Sequence, residues 1–197
     1  MKNNSKSKLY ADYHPELSTK GTGFKDEEIA KNTIKIISKR CLKYQFDVIN
    51  TMYNRAKYHP NQTSDMIKAM VIFKRWLDEY IKKKDIENKY KDFLSLDVIT
   101  SYEKLARDYN INDEYKEFLK IYKKIKKPYK LQYILAYNNQ DFYSLRINLI
   151  KSILKKIKQN NNKLFYTSGK NIGLPNKNHL LLILHAYSPV KLVNNGS

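Results

Sequence analysis

Seven lysines recur at the spacing that aligns side chains on one face of a helix: Lys116, Lys120, Lys123 and Lys127 in one stretch, and Lys151, Lys155 and Lys158 in another. Residues three and four apart are neighbours on a helix surface, so each set forms a cationic stripe. The chemistry open to such a stripe is contact with phosphate oxygens. The faces opposite are apolar, with Tyr115, Phe118, Leu119, Tyr122 and Ile125 behind the first stripe and Phe142, Leu145, Leu149 and Ile153 behind the second. Lysines on the wet side of an amphipathic helix serve solvation alone when acids are interspersed among them. In residues 131–197 nine basic residues meet a single acid, Asp141, for a local net charge of +8. Arginine is scarce, 5 against 33 lysines, so bidentate guanine recognition is not expected and contact would be with the backbone.

The loop Ser168-Gly-Lys-Asn-Ile-Gly173 offers a second kind of chemistry. It leads into a helix whose first turn holds Lys177 and His179 and no acid. An anion could be held there by Lys170, Lys177 and backbone N–H groups. The glycine spacing is not that of a nucleotide-binding P-loop, and Asn171 stands where a Ser or Thr is required, so a plain structural loop competes with this reading. The earlier glycine loop, Lys20-Gly-Thr-Gly-Phe24, runs into Asp26, Glu27 and Glu28, which would repel a phosphate. A turn that packs Phe24 against the following helix is expected instead.

Other chemistries find no support. The histidines do not form a metal set: His179 and His185 are six apart, and His14 and His59 each precede a proline at a turn. A paired-carboxylate site cannot be built in residues 131–197 from Asp141 alone. Cys41 is the single cysteine, which excludes a disulfide framework. No catalytic motif, cofactor or metal is expected. A helix-turn-helix around Leu105–Asn112 would open its recognition helix with Asp113 and Glu114, facing phosphate with carboxylates.

The elements that must position these lysines are helical. Asp26 caps a helix carrying Ile29, Thr33, Ile34 and Ile37, and a second spans about 42–58 before Pro60. In the third, from a Thr63 cap, Met66, Ala69, Met70, Phe73, Trp76, Leu77, Tyr80 and Ile81 form a core stripe that Lys82–Lys84 closes. Shorter helices are predicted near 86–94, 97–108, 113–127, 129–138 and 141–158, the last capped by Asp141. An extended segment at 163–167 and a final helix from an Asn176 cap to about Tyr187 complete the chain. The class is all-α: a compact domain of about seven to eight helices over 26–190, between an irregular basic arm, 1–25, and a tail, 191–197.

Three runs, Lys20–Phe24, Met52–Pro60 with Thr63–Met66, and Gly173–His179 ending in Ala186-Tyr-Ser-Pro189, resemble an uncharacterised family of large DNA viruses. That resemblance implies a viral factor or virion component and carries no fold, activity or functional residue with it.

Over the 197 residues, 38 Lys and Arg face 19 Asp and Glu, a net charge of +19. A/T-rich codons account for Lys in place of Arg, but not for a field of this size, which destabilises the folded chain unless an anionic partner neutralises it. The longest apolar run, Leu180–Leu184, is far short of a membrane span, and the polar, basic amino-terminal residues do not read as a secretory signal. The expected protein is intracellular (host cytoplasm or virion), non-enzymatic, and bound to nucleic acid through its phosphates. Docking on an acidic protein is the alternative, and an enzyme acting on a phosphorylated substrate stands third.

Overall fold

The computed structural model describes residues 19–192 except 112, 126 and 138, and leaves aside the side chain of Glu114. The amino-terminal arm up to residue 18 and the tail from residue 193 lie outside the described residues. The chain is all-helical: α1 (Glu27–Ile37), α2 (Leu42–Lys57), α3 (Ser64–Asn88), α4 (Leu96–Asp108), α5 (Glu114–Lys124), a 3-10 turn (Pro128–Tyr133), α6 (Phe142–Gln159) and α7 (Lys177–Leu184). Among the described residues only two isolated β-bridges occur, Leu135 with Asp141 and Phe165 with Pro175. No described helix is long and apolar enough to cross a membrane.

The caps read from sequence make the bonds expected of them. Asp26, Thr63, Asp141 and Asn176 each accept the N–H three residues on, satisfying donors that a helix start leaves open. Ahead of α1, the hydroxyl of Thr33 donates to the Gly23 carbonyl and accepts the Gly23 N–H. A Cβ at Gly23 would lie 2.8 Å from Ile29, so only glycine allows this approach. Phe24 packs on the α1–α3 core as expected.

That core joins Ala30, Ile37, Ile49, Ala69, Phe73 and Trp76. A second core, built from α4, α5, α7 and the 3-10 turn, holds Ile99, Phe118, Leu119, Leu131, Leu180 and Leu184. A third cluster, Ile150, Ile153 and Leu182, seals α6 onto α7.

Four expectations are corrected. The helix expected near 86–94 does not exist as a separate element, because α3 runs on through Lys82–Lys84 to Asn88. Lysine has good helix propensity, so a basic run does not stop a helix. Ile81, placed in the core stripe, is 69% exposed. The helix expected near 129–138 shortens to the 3-10 turn, after which Ala136 N–H bonds Gln140 O around Asn139 at φ 59°. The last helix stops at Leu184, because Ala186 turns to φ 59°.

Between the α1–α3 core and the rest lies a buried polar seam. Asp141, fully buried, accepts from the Cys41 N–H at 2.6 Å and Arg40 Nε at 3.3 Å through one oxygen. Its other oxygen accepts from the Ser144 N–H and hydroxyl, both at 2.8 Å. The Arg40 guanidinium also stacks 3.8 Å over Tyr44. Cys41 is buried, and burial pushes its thiol up to about 12, which makes it a core group rather than a nucleophile.

Candidate nucleic-acid interface

Helix α6 has two unlike faces. Phe142, Arg146, Ile147, Ile150 and Ile153 are buried. Asn148, Lys151, Ser152, Lys155, Lys156, Lys158 and Gln159 are exposed. Between Phe142 and Gln159 the helix has no acidic residue. Among the described residues no carboxylate comes within ion-pair distance of Lys151, Lys155, Lys156 or Lys158. The α1–α3 surface is different. There Lys31, Lys43, Lys68, Lys74 and Lys83 each pair with an acid three or four residues away.

The α5 stripe is partly neutralised. Lys116 pairs with Asp113 at 2.7 Å, and that hydrogen bond raises its pKa. Lys123 reaches Glu103 of α4 at 3.2 Å. Lys120 is exposed and makes no ion pair among the described residues; Lys127, expected on the same helix, lies beyond its end, because α5 stops at Lys124 and Lys127 is extended ahead of Pro128. The stripe thus lies on the α4 side of α5, and Glu117 is the α5 charge that borders the cleft towards α6. The two stripes therefore occupy separate surfaces.

Lys177, at the start of α7, joins the α6 set, because it borders one groove with Lys156. Lys156 escaped the sequence reading because it falls off the phase of Lys151, Lys155 and Lys158. At the other edge, Lys151 borders a cavity of about 270 Å³ with Glu87, where burial raises the Glu87 carboxyl and Lys151 opposes that shift. Lys151 also lies 5.6 Å from the Tyr90 ring.

Lys170 is exposed in the loop before α7, where three of the N–H groups are held within the turn. Ile172 N–H bonds Gly169 O, Gly173 N–H bonds Tyr166 O, and Leu174 N–H bonds Asn171 O. Gly169 and Gly173 supply the positive φ, 79° and 80°, that closes this turn. His179 is not a surface group. It is fully buried, with Nδ1 3.2 Å from Leu164 O and Nε2 3.0 Å from the Ser188 hydroxyl.

His185 is buried as well, with Nδ1 2.8 Å from Leu181 O and its ring 5.2 Å from Phe118. Burial lowers both histidines to about 4, against about 6.5 in an unfolded chain. The unfolded state therefore binds protons that the folded state refuses. Stability is intact above pH 6.5 and falls as pH drops towards 4. Urea midpoints are expected to decline from pH 6.5 to 5, where ordinary carboxylates stay ionised, and the double variant H179N/H185F should flatten that decline. An unchanged slope in the variant would assign the effect to other groups.

Among the described residues no cluster of three or more His, Cys, Asp or Glu could hold a metal. No family model, curated protein or solved structure matches the chain.

Proposed function

We propose that the protein binds nucleic acid through phosphate contacts from the α6 ridge, Lys151, Lys155, Lys156 and Lys158, continued by Lys177. One contrast supports this reading: five lysines of α1–α3 pair with acids on their own helices, while among the described residues those of α6 form no ion pair. A row of ammonium groups without ion pairs favours a polyanion, since binding releases the condensed ions of the nucleic acid. Lys116 and Lys123, already paired, contribute little.

The test is fluorescence anisotropy with short duplex and single-stranded DNA or RNA across a salt series. Each phosphate neutralised adds about 0.9 to the slope of log affinity against log salt, so four or five contacts give a slope of about −4. The variant K151E/K155E/K158E should weaken low-salt binding by about tenfold or more, while K116A/K123A changes it by less than about twofold. Affinity that is flat with salt, or a triple variant that binds as wild type, overturns the reading. Retention of an acidic protein after nuclease treatment, without nucleic-acid binding, would transfer the ridge to that partner.

A further inference from the structure

Four large apolar side chains stand exposed within nine residues: Leu135 and the tyrosines Tyr129, Tyr133 and Tyr137, which are 51%, 55% and 62% exposed. A single exposed apolar residue needs no explanation, but a set this dense marks a binding surface. Beyond the 3-10 turn the exposure alternates. Ile134 and Ala136 pack against the α4–α7 core, so Tyr133, Leu135 and Tyr137 point away from it together, at steps of about 7 Å. Bonds from the Ala136 N–H to Gln140 O and from the Phe142 N–H to Ile134 O fasten this segment to the start of α6. The rings are thus displayed on a pinned backbone.

The charge around this face is one-sided. Residues 118–140 hold six lysines and no acid. From Phe118 to the end of the sequence the only acid is Asp141, and it is fully buried in the seam. Lys127 and Lys130 flank Tyr129 and are exposed. Tyr137 borders the same groove as Lys156 and Lys177, where Glu117 is the one carboxylate. The tyrosine face therefore adjoins the α6 ridge.

A partner for this surface must bring anions to the lysines and flat apolar faces to the tyrosines. An apolar protein surface would be met as well by aliphatic side chains and would leave the lysines unmatched. Bases of a single strand satisfy both demands, whereas those of a duplex are already stacked on one another. We infer that Tyr133 and Tyr137, with Tyr129 beside them, form a stacking platform for the bases of single-stranded nucleic acid whose backbone continues along the α6 ridge. The inference rests on the polyanion reading of that ridge and adds the substrate class: single strands over duplexes. Base identity matters little to such a platform, because every base has a π-face.

Fluorescence anisotropy of the full chain with a short oligothymidylate and with a duplex of equal length, at matched salt, reads the platform. The wild type should bind the single strand about fivefold or more tightly than the duplex. Y133A/Y137A should lose about tenfold or more in single-strand affinity, with duplex binding and the salt slope little changed. Y133F/Y137F keeps the rings and should stay within about twofold of wild type, while Y133L/Y137L keeps apolar area without a π-face and should fall with the alanine pair. Both positions are exposed, so the variants retain the core, which circular dichroism checks. Equal affinity for strand and duplex, an alanine pair that binds the strand as wild type, or a leucine pair that does so would overturn the inference. So would a protein held through these tyrosines with no preference for single strands. Salt-dependent duplex binding that survives such a result leaves the ridge standing; tyrosine-dependent strand binding that is indifferent to K151E/K155E/K158E fells the ridge alone.

Discussion

Replacing Arg146 by alanine is expected to cost about 5 kcal/mol or more and leave the α4–α7 half without a cooperative transition, because a fully buried cation there holds three segments at once. Its Nε donates to His185 O at 2.9 Å, Nη1 to Tyr90 O at 2.7 Å, and Nη2 to Asp92 O at 2.7 Å and Ala186 O at 3.0 Å. The guanidinium lies 3.7 Å over the Phe93 ring. Among the described residues no carboxylate forms an ion pair with it, although Asp92 favours its charge, so the guanidinium is solvated chiefly by carbonyl dipoles. Burial lowers its pKa from 12.5 to about 10, which keeps it protonated at neutral pH.

Alanine would orphan the carbonyls of Tyr90, Asp92 and His185 and open a cavity. It would also release Ala186, whose φ of 59° is disfavoured for a residue with a Cβ and is held by this contact and the Leu94 N–H. Lysine keeps the charge but not the planar fork, so R146K should still lose about 2–3 kcal/mol. Methionine fills the space and strands the carbonyls. Urea denaturation followed by circular dichroism separates the three variants, and an R146M protein as stable as wild type would refute this account.

Asp141→Ala should cost about 3–5 kcal/mol. The loss of the α6 cap contributes about 1 kcal/mol of that. The remainder comes from stranding the Arg40 guanidinium, 4% exposed, and the Cys41 N–H in the seam. Asparagine offers one oxygen for the cap but turns an NH2 towards those donors, so D141N should recover only the cap. Adding R40M to D141A removes the stranded charge and should restore about 2 kcal/mol. Hydrogen exchange should show residues 39–42 and the first turn of α6 opening together in D141A. If R40M makes D141A worse, the carboxylate is not acting as the counter-ion of Arg40.

The helical class and four caps were legible because capping and periodicity are local. The end of α3 was not. Lys82–Lys84 looks like a terminus, but the chain leaves the helix only where the carbonyls of Tyr90 and Asp92 turn to Arg146, a residue 54 or more positions away. Arg146 itself carried a readable signal, since it falls in phase with Phe142, Ile150 and Ile153, and a charge in phase with apolar residues marks a buried one. The α6 stripe was legible from spacing. The neutralisation of Lys123 was not, because Glu103 lies on another helix. The groove beside Lys156 and Lys177 draws on three elements, so it became visible only through packing.

The helix that exposes the unpaired lysines is also the one fastened most firmly at its inner side, through Asp141 and Ser144 at its start, Arg146 one turn later and Ile150 and Ile153 beyond. Its backbone is therefore ordered before any ligand arrives. A polyanion bound as proposed would restrict only lysine side chains on this helix, each losing about 2 kcal/mol of rotamer freedom at most, with no backbone entropy surrendered. Such a preorganised array would associate without a folding step, so its encounter rate would follow ionic strength while its shape stayed constant.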